Sequence, residues 1–189
     1  MALTTIDPKP ALIIIDLQKG LTGLDTVHPL GEVVERSAEL ARAFRGHGLP
    51  VVLVNVAGRA PGRTEVSARV GTGAAPAPDW TEIVAELDPQ PGDHRVTKER
   101  WGAFFGTPLD ALLRGLGVTQ VILTGVSTSS GVESTARSAY EHGYHVVVAV
   151  DAVTDTNPDT HHNSVTRIFP KLGETAATAE IVELVEKTR

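Results

Sequence analysis

The chain has 189 residues, 41% hydrophobic and 21% charged, which at roughly 150 residues per domain fits one globular domain spanning 1–189. Seventeen Lys and Arg against 23 Asp and Glu leave a formal charge of −6, which argues against a nucleic-acid partner. Cysteine is absent, so disulfides, thiolate metal sites and a cysteine nucleophile are all excluded.

Apolar runs such as Ala11 to Ile15 are far too short to cross a bilayer, and the positive charges are too scattered to form a membrane-binding patch. Met1-Ala-Leu-Thr-Thr5 lacks the charged start and apolar stretch of an export signal. The expectation is a soluble cytoplasmic protein with no membrane partner.

Ala11-Leu-Ile-Ile-Ile-Asp16 reads as a strand buried on both faces, because polar residues do not alternate along it. Glu32 to His47 carries a helical apolar face through Val33, Val34, Ala38, Leu40, Ala41 and Phe44, stopped near Gly46 and Gly48. Pro50 to Val56 is a second buried strand. The Gly- and Pro-rich stretch Ala57 to Pro78, with Arg59, Arg63 and Arg69, is long for a connection and has the character of a lid or binding loop. Trp80 to Leu87 suggests a short helix, His94 to Thr97 a short strand ending at Lys98, and Leu109 to Leu116 a helix. Gln120 to Thr124 is a strand, Val132 to His142 a helix stopped by Gly143, and His145 to Val150 a strand ending at Asp151. Asp159 to Phe169 and Ala179 to Lys187 read as the closing helices. This alternation predicts an α/β fold, a doubly wound, mostly parallel, Rossmann-like sheet with helices on both faces.

In such sheets ligands bind at the carboxyl ends of the strands. Asp16, followed by Gln18, stands at the first end; Lys98 stands at the third. A carboxylate and an ammonium side by side in a partly dry crevice tune each other's pKa; alternatively, Asp16 caps a turn and Lys98 is a surface charge. Ser130 and Glu133 match a capping box, which starts a helix near Gly131 and leaves backbone N–H groups free to cradle an oxyanion. An ordinary capped helix has the same pattern.

Three blocks resemble the isochorismatase-like hydrolase superfamily: Ile13-Ile-Ile-Asp-Leu-Gln18, Lys98 ahead of Arg100-Trp-Gly-Ala-Phe-Phe-Gly-Thr-Pro-Leu-Asp110, and Thr124-Gly-Val-Ser-Thr-Ser-Ser-Gly-Val-Glu-Ser-Thr-Ala-Arg137. The resemblance runs from about Pro10 to Thr178. It implies that Asp16 and Lys98 are two members of a catalytic triad, that the Val126–Ser127 peptide is cis, and that the Ser127 and Gly131 N–H groups form an oxyanion pair. The third member of that triad is usually cysteine, and here Gly131 holds its position. The thioester route of the family's amidases is therefore closed, and the hydroxyls of Ser127 to Ser130 suit turn and cap better than nucleophilic attack.

The Asp-x-His pattern of metal-binding nicotinamidases is replaced by Asn55-Val-Ala-Gly-Arg-Ala-Pro-Gly-Arg63, so neither a metal nor another cofactor is expected. The adjacent His161 and His162 project about 100° apart on a helix and read as a solvated N-terminus. Gln18, Arg63 and Trp101 are the candidate substrate contacts: a guanidinium suits a carboxylate and an indole supplies a wall; the alternative is an Arg63 that only solvates its loop and a Trp101 that only fills core. The expected partner is a small-molecule substrate. The resemblance adds a homo-oligomer, with which the apolar residues Ile181, Val182, Leu184 and Val185 are compatible. Two functions compete: a hydrolase of small organic acids, enol ethers above all, that works without a covalent intermediate, and a retired enzyme that serves as a binding or structural subunit.

Overall fold

The computed structural model describes residues 3–65 and 76–188. Its sheet has six strands, all parallel: β1 (Pro10–Ile15), β2 (Val51–Val56), β3 (His94–Lys98), β4 (Gln120–Val126), β5 (His145–Thr154) and β6 (Glu174–Ala176), in the order β3-β2-β1-β4-β5-β6. The strand order reverses between β1 and β4, which opens a crevice beyond their carboxyl ends.

Side chains of β1 alternate between two cores. Leu12 and Ile14 pack with Leu53, Ile122 and Val147 under α1 (Leu30–Gly46) and the C-terminal helix. Ala11, Ile13 and Ile15 pack on the other face with Val52, Val54, Val121 and Leu123 under α2 (Leu109–Gly115) and α3 (Glu133–Glu141). Burial on both faces explains the unbroken apolar strands. At the start of the crevice Gly125 has φ +115, and a Cβ there would stand 1.9 Å from the Ile15 carbonyl oxygen. Only glycine lets β4 approach β1 so closely.

Several elements differ from the sequence expectation. Trp80 to Leu87 forms no α-helix: Trp80 and Thr81 turn, Ile83 makes an isolated antiparallel bridge to Gln18, and Ala85–Leu87 is a single 3₁₀ turn. β5 runs four residues beyond Val150, and the short β6 carries no apolar run that would announce it. The helix expected over Asp159 to Phe169 forms and runs on to Leu172, but it changes pitch on the way: α4 (Pro158–Asn163) passes through a π-helical turn (Ser164–Ile168) into α5 (Phe169–Leu172). Pro170 lies in the first turn of α5, where its missing N–H is tolerated. Ile181 and Val185 of α6 (Thr178–Lys187) are buried in the core, with Val182 and Leu184 partly buried against it, so this apolar face is taken up within the chain. Arg69 lies outside the described residues. Among the described residues, no helix is long and apolar enough to cross a membrane.

Candidate active site

Asp16 is the first residue beyond β1 and takes a left-handed backbone, φ +56, a conformation that Asp tolerates better than most residues. Its N–H still donates to the Val54 carbonyl at 2.9 Å, so the carboxylate is rooted in the sheet as the chain turns off it. Lys98 closes β3 two strands away, and its Nζ donates to Asp16 Oδ2 at 2.7 Å and to the Arg100 carbonyl at 3.1 Å. Asp16 is 5% exposed and Lys98 2%, so Lys98 is not a surface charge. Burial pushes the Asp16 carboxyl up to about 6, against the opposing pull of the Lys98 charge and hydrogen bond. Asp16 Oδ1 is buried without a hydrogen-bond partner among the described residues.

The third component follows β4. The Val126–Ser127 peptide is cis. A π-helical turn (Thr128–Val132) then leads into α3, and the Ser127 carbonyl accepts the N–H groups of Ser130 and Val132, each at 3.1 Å, passing over Gly131 between them. A Cβ on Gly131 would stand 3.2 Å from Asp16 Oδ2, 3.3 Å from Ile15 Cγ2 and 3.4 Å from the Val126 carbonyl oxygen. Gly131 thus borders the Asp16–Lys98 pair directly. The expected capping box does not form: Glu133 instead accepts from Ser164 Oγ at 2.6 Å and pairs with Arg137. The wider π turn displaces Glu133 from the position from which it would reach back to a cap.

Gln18 is fully buried beside β2. Its Nε2 donates to the carbonyls of Val56 and Trp80 at 3.1 and 3.0 Å, and its Oε1 accepts the Val56 N–H at 2.8 Å. With the amide committed to backbone, Gln18 fastens the end of β2 to the segment at Trp80. Arg63 stands exposed beyond β2. Trp101 is 65% exposed and Phe105 71%, so Trp101 does not fill core. Neither Arg63 nor Trp101 has a hydrogen bond or ion pair to Asp16 or Lys98 among the described residues. The segment bearing Trp101 is nonetheless tied to the site: Thr135 Oγ1 donates to the Gly131 carbonyl at 2.7 Å and accepts the Ala103 N–H at 3.0 Å.

His161 is also unlike its sequence reading. It is buried, its Nδ1 lies 2.9 Å from Thr128 Oγ1, and burial holds its pKa below the ordinary value. Only His162 is solvated. Sequence reasoning missed Thr135, Asp155 and His161 as supports of the turn; a Thr or His inside a helix carries no signal of what it will face. Among the described residues, no group of three or more His, Cys, Asp or Glu side chains is arranged to hold a metal ion.

The isochorismatase domain model matches residues 10–180. The chain belongs to the isochorismatase family. It is 41% identical over 183 residues to the uncharacterised isochorismatase-family protein YwoC of Bacillus subtilis, covering 94% of this chain and 95% of that one. A solved isochorismatase-family structure from Burkholderia thailandensis is 44% identical, with a TM-score of 0.84 over 96% of this chain and 98% of the other. The ureidoacrylate amidohydrolase RutB of Methylobacterium radiotolerans is 30% identical, covering 84% of this chain and 72% of the relative. This member of the isochorismatase family, a family of hydrolases, therefore presents Asp16 and Lys98 together at the topological switch point, with Gly131 as their neighbour.

Proposed function

We propose that this isochorismatase-family hydrolase cleaves a small organic acid of enol-ether type by proton transfer from Asp16, with no covalent enzyme intermediate. The observation that carries the reading is the buried carboxyl with a pKa near 6 and an unengaged Oδ1, set against a glycine that has no side chain to attack with. Asp16 protonates the terminal vinyl carbon, and the ether oxygen stabilises the resulting oxocarbenium ion. Water adds to that ion and returns a proton to Asp16, and the hemiketal collapses to an alcohol and a 2-oxo acid. Lys98 steadies the carboxylate while it is charged. The N–H groups of Ser127 and Gly131 hold a substrate oxygen, and Arg63 and Trp101 meet the substrate's carboxylate and flat carbon skeleton.

Amide hydrolysis, the activity named for RutB, competes with this reading. It requires Asp16 to act as a base toward water, and the pKa of about 6 leaves most of the carboxyl ionised at pH 7. The absence of a side-chain nucleophile at Gly131 favours the enol ether. The experiment is a screen of purified protein against isochorismate, ureidoacrylate and simple carbamates, with ligand-induced melting shifts measured in parallel. Release of pyruvate from isochorismate supports the proposal. Turnover of ureidoacrylate alone replaces it with amidase chemistry, and binding without turnover replaces it with a retired enzyme.

A further inference from the structure

The turn that carries Ser127 and Gly131 is held from behind by residues outside all three site-bearing blocks. The hold begins with a register change in the sheet. Leu123 faces Val148 but Gly125 faces Val153, so β5 advances five residues while β4 advances two. The surplus extends β5 to Thr154 and brings Asp155 beside the turn after β4. Asp155 Oδ2 accepts both the Ser129 N–H, at 2.7 Å, and the Ser129 hydroxyl, at 2.8 Å. The Asn157 N–H approaches the other carboxylate oxygen at 3.4 Å, and the Asp155 carbonyl accepts from the Val27 N–H at 2.9 Å. Asp155 is 4% exposed, and no Lys or Arg pairs with it among the described residues. Its carboxylate oxygens are held by hydrogen-bond donors, and the two shortest bonds come from Ser129. One residue earlier, Thr128 is tied to His161, whose ring packs edge-on to His28 with centroids 4.9 Å apart.

A π-helical turn has poorer intrinsic geometry than an α-helix and is kept by its surroundings. We propose that Asp155 is the positioning residue of this turn: through its two bonds to Ser129 it fixes the Ser127–Gly131 backbone against Asp16. The proposal rests on the reading that N–H groups of this turn meet the substrate. Displacing such groups by about 1 Å costs about a hundredfold in rate, with little effect on how remote parts of the substrate bind.

The test has one arm that depends on turnover and one that does not. With isochorismate as the probe, Asp155→Ala is expected to lower kcat about ten- to a hundredfold with KM within about threefold of wild type. Asp155→Asn, which keeps an acceptor for one Ser129 donor, recovers part of the loss. Unchanged kcat, or a rise in KM alone, overturns the proposal. In the second arm, NMR follows the amide signals of Ser127, Ser129 and Gly131 and the titration of the Asp16 carboxyl carbon in both variants. Asp155→Ala is expected to shift all three amides and to lower the Asp16 midpoint as the turn loosens and water enters, with Asp155→Asn between it and wild type. A Gly131 amide and an Asp16 midpoint unchanged from wild type in folded Asp155→Ala overturn the proposal. If wild type does not cleave isochorismate, the enol-ether reading fails alone, and the NMR arm still decides whether Asp155 positions the turn.

Discussion

Lys98 Nζ touches one oxygen of Asp16, Oδ2 at 2.7 Å, and leaves the buried Oδ1 unengaged among the described residues. A structural ion pair between buried groups ordinarily satisfies every polar atom, because an unmade hydrogen bond there costs about 1–3 kcal/mol. This pair is half satisfied, and the free half belongs to the group with the displaced pKa. From that asymmetry follow the expectations for Asp16.

Asp16→Asn is expected to lower the turnover of isochorismate by about 10²- to 10⁴-fold, the usual contribution of a positioned proton donor. The variant should still fold, but it leaves the Lys98 ammonium buried without its counter-charge, a loss on the order of 3 kcal/mol. Initial rates and urea unfolding separate the two effects. A variant with wild-type turnover would remove Asp16 from the mechanism.

The pH dependence has a definite sign. As a proton donor, Asp16 must be protonated, so kcat/KM should fall about tenfold per pH unit above pH 6. A base at this position would give the opposite limb. Stability follows the same group. The folded pKa of about 6 lies above the ordinary carboxyl value of 3.8, so the folded state holds the proton more tightly. The contribution of Asp16 is fully present below pH 3.8 and is lost as pH rises through 6, a change on the order of 3 kcal/mol. The difference in unfolding free energy between wild type and Asp16→Asn, measured from pH 4 to 7, isolates it from other titrating groups.

Gly131→Ala tests the closeness of the turn to the pair. The added methyl meets Asp16 Oδ2 at 3.2 Å and Ile15 Cγ2 at 3.3 Å, so one of them must give way. Helix propensity favours the alanine by up to about 1 kcal/mol, which offsets part of the crowding. Turnover is therefore expected to fall more than tenfold while the melting temperature changes by a few degrees. Gly131→Cys, assayed on ureidoacrylate, asks whether the crevice accepts covalent chemistry; a gain of amide hydrolysis would show that it does.

Gln18→Leu removes three hydrogen bonds and strands the Val56 N–H and two backbone carbonyls. A loss of a few kcal/mol in urea unfolding is expected, with faster hydrogen exchange at the Val56 amide. Unchanged stability would return Gln18 to the substrate side of the site.

The legible part of this protein is the part built from local pattern. Unbroken apolar runs such as Ala11 to Ile15 announced parallel strands, and Asp16 and Lys98 stood out because a parallel sheet places its ligands at strand ends. What the pattern hid was set by tertiary contacts. The β5 register change has no mark in Val150-Asp-Ala-Val-Thr154, and Asp155 reads as an ordinary loop acid until Ser129 is placed beside it. The Ser130–Glu133 capping box was a valid local signal overridden by a better partner, Ser164, brought in from α4's continuation. His161 reads as solvated because an adjacent pair of histidines says nothing of which one turns inward.

Thr135 spans two parts of the molecule with a single hydroxyl, giving its proton to the Gly131 carbonyl and taking the N–H of Ala103. The aromatic surface at Trp101 and Phe105 is thereby riveted to the helix beneath it. Loss of that one hydroxyl would free the exposed Trp101–Phe105 segment and the Gly131 turn from each other at the same time.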